Sequence, residues 1–290
     1  MEIKAVALDL DGTLLTTDKK ISDINRDVLK ELEQQGVKIF IVTGRTYHAA
    51  KPYAEYLNLG GVVISYNGAK VVEYRNDRVV FELPLQEEYV KEIIRIARKM
   101  GVALNLYQDN KWYVEDSSRK EVLEYARERN LIPIEKDFYS FDNYEMTKTV
   151  FMGTPDILDK VNREVEKVLG NKVYKAKSMD TLYEVLNREV NKGLVLERTL
   201  KTYGISPEEC AAFGDAVNDI EMLTVVKYGV AMGNAPHEVK SRVNYITDTN
   251  DNNGVAKFLK KFFFWHCFDF MVESIINKYH TKIDICFQVV

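Results

Sequence analysis

The feature that most constrains this chain is an apolar segment, AVAL at residues 5–8, that runs directly into two aspartates in the sequence DLDGT. A buried carboxylate is costly unless a cation or hydrogen-bond donors compensate its charge. Because side chains alternate along an extended backbone, we expect Asp9 and Asp11 to face the same side. Gly12 permits a sharp turn after them. The motif indicates a metal or reaction centre, although a helix cap or an Asx turn gives the same pattern.

The composition narrows the classes of function. The chain has 290 residues, of which 46% are hydrophobic and 29% are charged, as in globular proteins that fold in water. A net charge of −4 argues against a nucleic-acid partner, which requires a basic face. The three cysteines form no C-x-x-C pair and favour a reducing cytoplasm. We find no signal peptide and no apolar run of about 20 residues that would span a membrane. The oligomeric state stays open.

The first 83 residues predict a doubly wound α/β core. Ser22 is a candidate N-cap for a helix that ends near Gly36 and has apolar residues at Ile24, Val28, Leu29 and Leu32. The strand VKIFIV, a helix from Tyr47 to Leu57 and the strand VVIS follow it. Near-continuous apolar strands are typical of a parallel sheet that is buried on both faces. This alternation predicts a Rossmann-like parallel sheet.

A different order of elements between residues 84 and 188 predicts an inserted domain. It consists of a helix, two strands, a helix, a strand, a helix that begins at Thr154-Pro155, and two more strands. A helix at 192–203, a capping box from Ser206 to Glu209 and the strands CAAFGD and YGVAM then resume the first pattern. We predict a discontinuous core of residues 1–83 and 189–261 around an α+β insert of residues 84–188.

The segment 262–290 differs from the rest in its many phenylalanines. Its sequence fits a buried helix, an oligomer contact, an adhesive disordered tail or the product of a frameshift equally well. It carries Asp269 and Glu273 within its apolar stretch, so it is not a membrane span. We assign no chemistry to it.

Two further strand ends carry polar side chains. Thr43 and Gly44 follow KIFIV, where backbone N–H groups at a helix start bind anions, although Ser/Thr-Gly is also a common turn. Asp215 ends the strand CAAFG, and Asn218 and Asp219 follow in the next turn. Ligands of an open α/β sheet bind at the carboxyl ends of its strands. We therefore expect these groups beside the first two aspartates, with an N-capped surface helix as the plain alternative for the last three.

The chemistry of these groups indicates a phosphate and a divalent cation. A third carboxylate beside Asp9 and Asp11 is repulsive without a cation, and carboxylates with a carbonyl and waters suit Mg²⁺. Asn218 can donate its amide to a phosphoryl oxygen, and Asp219 can hold a neighbour from behind. Lys192 opens a helix, where a lysine opposes the helix dipole. It either pairs with Asp9 and a substrate phosphate or is simply solvated.

Taken together, the four strand ends resemble the haloacid dehalogenase superfamily of phosphotransferases. The segment DLDGT at 9–13 is similar to its first motif, Thr43-Gly44 to the second, Lys192 to the third and GDAVND at 214–219 to the fourth. The segments SYNGA at 65–69 and VAMGNAPHEVK at 230–240, together with the insert, resemble the Cof-type (class IIB) sugar-phosphatase-like branch. The resemblance covers residues 1–261.

The resemblance implies a Mg²⁺-dependent phosphatase of small phosphorylated metabolites, with sugar phosphates first. Asp9 would be the nucleophile that forms an aspartyl-phosphate, and Asp11 the general acid and base. The metal would be held by Asp9, Asp215 and the backbone carbonyl of Asp11. The phosphoryl group would be surrounded by Leu10, Thr43, Gly44, Lys192 and Asn218, with Asp219 in a supporting position.

The inserted domain would close over the site as a cap. Its segment 138–148 is the candidate for a specificity segment. Seven aromatic residues of the insert are candidates for stacking on a substrate, with ordinary core packing as the plain alternative for most of them: Tyr107, Trp112, Tyr113, Phe138, Tyr139, Phe141 and Tyr144. His48 and His237 are expected to be surface residues. A phosphomutase is the alternative within the resemblance, and a phospho-accepting receiver module is a third hypothesis, disfavoured because receivers are shorter and lack a cap.

Overall fold

The structure is a computed structural model that describes residues 3–58, 60–129 and 131–263. Its strands are β1 (Ala5–Leu8), β2 (Lys38–Val42), β3 (Val62–Ser65), β4 (Lys70–Glu73), β5 (Arg78–Glu82), β6 (Ala103–Gln108), β7 (Lys111–Val114), β8 (Ile134–Glu135), β9 (Lys148–Met152), β10 (Val173–Met179), β11 (Leu182–Asn187), β12 (Cys210–Gly214), β13 (Tyr228–Ala231) and β14 (Tyr245–Ile246). Its helices are α1 (Asp23–Gln34), α2 (Tyr47–Leu57), α3 (Glu87–Met100), α4 (Lys120–Arg129), α5 (Pro155–Val168), α6 (Lys192–Thr202), α7 (Ile220–Val225) and α8 (His237–Lys240). Residues 254–263 are also helical.

The strands form two separate sheets. The first has the order β14-β13-β12-β1-β2-β3-β4-β5, and it is parallel from β14 to β3 and antiparallel at β4 and β5. The second has the order β10-β11-β9-β6-β7-β8 and is antiparallel except for its β7–β8 pair. The predicted parallel α/β sheet with a second α+β unit is therefore confirmed.

The first sheet is buried on both faces because helices cover each side. Along β1, Val6 and Leu8 belong to one apolar cluster and Ala5 and Ala7 to the other. A strand in such a position has no polar face, which explains the continuous apolar sequence that precedes Asp9. Apart from Lys38, which opens β2 and is exposed, the polar side chains next to β1, β2 and β12 therefore appear where these strands end.

The second sheet has one face packed on its own helices and one face turned towards the first sheet. Leu104, Phe151 and Val185 share an apolar cluster with residues of α3 and α5. The intervening residues Tyr107, Val150 and Leu186 belong to the cluster that includes the first sheet. Because side chains alternate along a strand, residues of β6, β9 and β11 on this inner face reach the loops of the first sheet.

Most of the predicted local structure is confirmed. The Ser22 hydroxyl accepts a hydrogen bond from the Asn25 backbone N–H and caps α1, and α2 has the predicted bounds. The Ser206–Glu209 capping box is present, but it caps a single 3₁₀ turn at Pro207–Glu209. Pro155 occupies the first turn of α5, whereas the Thr154 side chain makes no capping hydrogen bond.

Two expectations need correction. Ile24 is not a core position of α1, because it is half exposed, whereas Val28, Leu29 and Leu32 are buried as predicted. An apolar residue in the first turn of a helix is a weak guide to burial, since that turn often lies beyond the edge of the sheet. The antiparallel β4–β5 hairpin was also missed, because its charged and exposed residues hide the apolar pattern of an edge strand.

No helix in the described part of the chain is long and apolar enough to cross a membrane. The helix at 254–263 extends past the predicted core boundary, and Phe262 packs edge-on against Tyr228 with ring centroids 4.7 Å apart. Residues 264–290, which hold most of the predicted atypical tail, lie outside the described residues. The boundaries at 83/84 and 188/189 stay predictions.

The contrast within α1 generates a first prediction. Leu29 is fully buried and Ile24 is half exposed on the same helix. We expect Leu29→Ala to lower the free energy of unfolding by about 2–5 kcal/mol, because it leaves a cavity. Ile24→Ala should cost no more than about 1 kcal/mol. Urea unfolding followed by circular dichroism measures both, and equal losses would contradict the assigned orientation of α1.

Candidate active site

The predicted site residues meet at one edge of the first sheet. Strands β12, β1 and β2 are adjacent and parallel, so Asp215, Asp9 and Thr43 leave their carboxyl ends side by side. The Asp9 backbone N–H donates to the Phe213 carbonyl (3.1 Å) and extends the β1–β12 pairing to the aspartate itself. Groups from the two ends of the sequence are thereby brought together, as the sequence predicted.

Lys192 binds the aspartates from behind. Its Nζ donates to Asp9 Oδ1 (2.7 Å) and to Asp219 Oδ1 (2.6 Å), and all three side chains are buried. Lys192 is the first residue of α6, a position that the helix dipole disfavours for a cation. The two carboxylates supply the compensating charge. Of the two hypotheses for Lys192, the solvated surface lysine is therefore wrong.

Asp219 also organises the turn that carries Asp215. Its Oδ2 accepts from the backbone N–H groups of Asp215 (3.0 Å) and Ala216 (2.9 Å). Both of its oxygens are thus engaged by this chain, one by Lys192 and one by the turn. This arrangement suits the predicted supporting role of Asp219.

Two side chains hold the Asp215 carboxylate, and Gly12 leaves the space that it occupies. Its Oδ1 accepts from the Thr13 hydroxyl (3.1 Å), and its Oδ2 accepts from the Asn234 amide (3.3 Å). Gly12 has φ +76°, and a Cβ built there would lie 2.2 Å from Asp215 Oδ2. A side chain at position 12 would therefore displace Asp215, which gives Gly12 a second requirement besides its turn.

The pKa values of Asp215, Asp9 and Lys192 are shifted from the usual values of these groups. Burial, and then the charge of Asp219, raise the pKa of Asp215 from 3.8 to about 6. Burial also raises the pKa of Asp9, although the Lys192 ammonium opposes that effect. Burial alone would lower the pKa of Lys192, but the charges of Asp219 and Asp9 outweigh it and raise that pKa. The cluster thus carries more negative charge than Lys192 neutralises.

A divalent cation fits this cluster. Asp9, Asp215 and Asp219 each offer a carboxylate oxygen, and these oxygens all lie within 4.8 Å of one another. Three carboxylates and one ammonium leave an excess of two negative charges when all are ionised. An all-oxygen donor set is typical of hard cations such as Mg²⁺. The buried aspartates thus form a site for a divalent metal.

The expectation that Asp9 and Asp11 turn their carboxylates to one centre is wrong for this structure, because the chain turns at Leu10 and the Asp11 carboxylate is not part of that cluster. Its two oxygens accept from Arg45 Nε (2.6 Å) and Nη2 (2.7 Å), and Oδ1 also accepts from Lys19 Nζ (2.8 Å). Although burial raises the pKa of Asp11, the hydrogen bonds from Arg45 and Lys19 outweigh it and hold this pKa well below its usual range. Asp11 is therefore an ionised partner of Arg45 in this structure, and its predicted metal contact concerns only its backbone carbonyl.

The other predicted phosphate ligands lie around the same edge. Leu10 is buried between the two aspartates of the first motif, and its carbonyl accepts from the Thr13 and Leu15 backbone N–H groups. The Thr43 hydroxyl accepts from the Arg45 backbone N–H (3.2 Å). The Asn218 amide donates to Asn67 Oδ1 (3.0 Å).

Four residues at this edge were not singled out in the sequence. They are Arg45, Asn67, Lys148 and Glu184, and the last two come from the inner face of the second sheet. Lys148 is the last residue of the predicted specificity segment 138–148, in which only the aromatic residues had been considered. Asn67 was visible only as part of SYNGA, where an Asn-Gly pair indicates positive φ angles. The structure gives φ +53°, +56° and +109° at Tyr66, Asn67 and Gly68. A buried ion pair between two strands leaves no such local signal.

The aromatic residues of the predicted specificity segment are placed elsewhere. Phe138, Phe141 and Tyr144 belong to the apolar cluster on the helix-covered face of the second sheet. Tyr139 is half exposed and stacks against the Arg98 guanidinium. Among the candidate aromatics, Tyr107 and Trp112 are the two that pack in the cluster shared with the first sheet.

His48 and His237 are exposed, as predicted. His48 lies in the first turn of α2 and His237 in the first turn of α8. Within residues 3–58, 60–129 and 131–263, neither imidazole makes a hydrogen bond to the acidic cluster.

Comparison with known proteins identifies the family. A model of haloacid dehalogenase-like hydrolases matches residues 6–259. The chain belongs to this family. It is a haloacid dehalogenase-type phosphatase, as the four motifs predicted, and of the Cof type, as the segments 65–69 and 230–240 and the insert predicted.

Individual relatives cover nearly the whole chain. The 5-amino-6-(5-phospho-D-ribitylamino)uracil phosphatase YcsE of Bacillus subtilis is 32% identical over 260 residues, which is 90% of this chain and 96% of the relative. The HMP-PP phosphatase of Yersinia pestis is 28% identical over 261 residues, 88% of this chain and 94% of the relative. The crystal structure of a haloacid dehalogenase-like hydrolase from Bacteroides thetaiotaomicron has a TM-score of 0.83 and 30% identity, covering 90% of this chain and all of that one.

The excess negative charge generates a second prediction. Because the pKa of Asp215 is raised from 3.8 to about 6, the folded chain binds more protons than the unfolded chain between these values, and metal-free stability falls as the pH rises through them. Mg²⁺ should raise the melting temperature at neutral pH and raise it less at mildly acidic pH, where protons compete for the carboxylates.

Asp215→Asn tests the same prediction. This variant should melt higher than the parent protein without metal at neutral pH and should lose the Mg²⁺ response. The exposed Asp159 on α5 supplies the control, and Asp159→Asn should keep that response. Differential scanning calorimetry measures all three proteins. A Mg²⁺ response of parental size in Asp215→Asn would contradict the assigned metal site.

Proposed function

We propose that this protein is a Mg²⁺-dependent phosphatase that hydrolyses small phosphorylated metabolites, sugar phosphates first, through an aspartyl-phosphate on Asp9. The observation that carries the proposal is the buried contact of Lys192 with Asp9 and Asp219, beside Asp215. This arrangement presents one carboxylate nucleophile, paired with an ammonium group, to a centre that must accept the negative charge of a phosphate. Phosphoryl transfer depends chiefly on such positioning and charge stabilisation.

Asp9 performs the displacement in this proposal. Lys192 binds Asp9 Oδ1, which fixes the carboxylate and leaves Oδ2 to face the phosphorus or a cation. When bound by Asp9, Asp215 and the Asp11 carbonyl, Mg²⁺ supplies a positive charge next to the phosphoryl oxygens. Attack by Asp9 gives an acyl phosphate, and water then attacks the phosphorus and frees the carboxylate.

Asp11 transfers protons in both half-reactions. It donates a proton to the departing alkoxide and then accepts one from the attacking water. A proton on Asp11 is incompatible with the two hydrogen bonds that Arg45 donates to it here. The acid role therefore requires Arg45 to release Asp11 when substrate binds, which makes this ion pair a property of the free enzyme.

The phosphate oxygens are bound by neutral and cationic donors at the carboxyl ends of β1, β2 and β12. We assign the Leu10 backbone N–H, Thr43, Gly44, Lys192 and Asn218 to this task. The proximity of Asn218 to Asn67 and of Thr43 to the Arg45 backbone supports this assignment. Such donors stabilise the charge that develops on the transferring group.

The inserted segment, residues 84–188, acts as the cap of the core formed by residues 1–83 and 189–261. Its inner face packs against the first sheet, which excludes water and selects the leaving group. The name of the relative YcsE specifies a phosphate on a ribityl chain, which supports a polyol or sugar phosphate as the substrate class. A cytoplasmic location and the absence of membrane or nucleic-acid partners complete the proposal.

A phosphomutase is the alternative. In that case the phosphoryl group of Asp9 passes to a second sugar hydroxyl instead of water. A panel of phosphorylated metabolites, assayed with Mg²⁺ for free phosphate and for isomerised products, separates the two activities. Release of phosphate in proportion to substrate consumed supports the phosphatase, and isomerisation without free phosphate supports the mutase.

The nucleophile assignment generates a third prediction. Asp9→Asn should lower kcat by roughly 10³-fold or more, because an amide does not attack phosphorus. Its melting temperature should not fall, since the change removes one negative charge from an over-charged cluster. Phosphate release and calorimetry measure the two effects, with Asp159→Asn as the matched control. Residual activity above a few per cent in Asp9→Asn would refute the assignment.

The acid–base assignment generates a fourth prediction. Asp11→Asn should accumulate phosphorylated protein with a substrate whose leaving group needs no protonation, because dephosphorylation still requires a base. Intact-protein mass spectrometry after rapid quenching detects this species. If Asp11→Asn turns over at the parental rate without accumulating the phosphoenzyme, the acid–base role belongs to another residue.

A further inference from the structure

A buried ion pair on the second sheet contacts the phosphate-binding edge of the first. Lys148 begins β9 and Glu184 lies on the adjacent strand β11, and their side chains meet at 3.0 Å. Both are almost fully buried. An ion pair buried in this way recovers its desolvation cost only with good geometry and further hydrogen bonds. The partners that provide these bonds are therefore informative.

Each member of the pair has its next partner on the first sheet. Lys148 Nζ donates to the Gly44 carbonyl (3.2 Å), in the loop that follows β2. Glu184 Oε2 accepts from Asn67 Nδ2 (2.8 Å), in the turn that follows β3. The two charges of the second sheet thus reach the two loops beside the proposed phosphate site.

Asn67 passes this contact on to Asn218. Since its Nδ2 donates to Glu184, its Oδ1 is turned to accept from Asn218 Nδ2 (3.0 Å). The same Oδ1 lies 2.9 Å from where a Cβ of Gly44 would stand, so Asn67 fits closely against that glycine. The Asn67 backbone N–H also donates to the Thr43 carbonyl (3.0 Å). Asn67 therefore contacts Thr43, Gly44 and Asn218, which are three of the residues assigned to the phosphate-binding edge.

The backbone of this turn is strained. Tyr66 and Asn67 both have positive φ, and residues other than glycine persist in this conformation where surrounding contacts impose it. Lys148 Nζ lies 5.9 Å from the centroid of the Tyr66 ring. It also lies 5.7 Å from the centroid of the Tyr107 ring, which belongs to β6. Contacts from the second sheet thus surround the strained turn.

We propose that Lys148 and Glu184 are positioning residues, which complete the phosphate-binding site by orienting Asn67 and Gly44 when the second sheet lies against the first. Glu184 orients the Asn67 amide, which in turn orients the Asn218 amide. Lys148 orients the Gly44 peptide by donating a hydrogen bond to its carbonyl. Closure of the cap and assembly of the site are then one event. This inference rests on the proposed function for the location of the phosphate site, and neither residue needs to touch the substrate.

The isosteric double variant Lys148→Met/Glu184→Gln is the central test. It removes both buried charges, so it leaves neither one unpaired, and such replacements are often neutral for stability. A purely structural pair predicts parental kinetics at a parental melting temperature. A positioning pair predicts a parental melting temperature with kcat roughly 10-fold to 100-fold lower and binding of inorganic phosphate weakened by a similar factor.

The variants are measured in the full chain with Mg²⁺. Hydrolysis of p-nitrophenyl phosphate gives kcat and KM, and isothermal titration with inorganic phosphate gives affinity without turnover. Asn67→Gly, which tolerates positive φ, should reproduce the kinetic loss by removing only the amide. Combined with Glu184→Gln it should add little further loss, because the two residues act in series.

Glu82→Gln is the matched control. Glu82 forms an ion pair with Lys70 (3.0 Å) and accepts from Thr147 of the inserted segment (2.6 Å), so it joins the same two parts of the chain away from Gly44 and Asn67. It should leave kcat and phosphate affinity near the parental values. An equal loss in Glu82→Gln, or parental kinetics in the double variant and in Asn67→Gly, would overturn the inference.

The two proposals fail differently. If the parent protein hydrolyses p-nitrophenyl phosphate and the double variant has the same kinetics, the phosphatase proposal stands and the positioning proposal is wrong. If the parent protein binds inorganic phosphate but hydrolyses no phosphorylated metabolite, the phosphatase proposal is wrong. In that case, weaker phosphate binding by the double variant still supports the positioning role.

Discussion

The site depends on one buried ammonium group that two carboxylates share. Lys192 bridges Asp9 and Asp219, and Asp219 in turn binds the backbone that presents Asp215. An isolated charge at this depth would be prohibitively unstable, so each member requires the others. The three residues come from β1, the start of α6 and the turn after β12. The ammonium group therefore holds together parts of the chain that are distant in sequence and fixes Asp9, the proposed nucleophile, without any substrate.

The two aspartates of the first motif are separated by chemistry as well as by one residue. Asp9 is turned inward to Lys192, and Asp11 is turned to Arg45 and Lys19. Opposite environments are what a nucleophile and a proton donor need, but Asp11 has the environment of a permanent anion here. Since Arg45 follows Thr43 and Gly44 directly, the proposed phosphate site at that loop would make a bound phosphate compete with Asp11 for the guanidinium. In the proposed mechanism, substrate binding would thereby raise the proton affinity of Asp11.

The sequence predicted the first sheet well because its strands are buried on both faces and end at polar residues. The same reasoning located Asp9, Thr43 and Asp215, since parallel neighbours must bring their carboxyl ends to one edge. Lys192, the first residue of α6, was placed in the site by the resemblance and not by a strand end. It failed where the signal was not local. Lys148 and Glu184 lie in strands of mixed composition, and their pairing follows from the register of β9 with β11, which no single-strand pattern contains.

The same contrast applies to the aromatic residues of segment 138–148, for which core packing was the alternative to stacking on a substrate. Phe138, Phe141 and Tyr144 have the composition of a binding segment, but their burial serves the core of the second sheet. The contacts that reach the phosphate edge are instead a lysine and a glutamate, which are rarely buried unless paired. A domain that only covers a site has no need of such a pair, because apolar residues would cover it at lower cost. The charges are retained at the point where the second sheet meets Gly44 and Asn67, and this coincidence connects the geometry of the cap with that of the reaction centre.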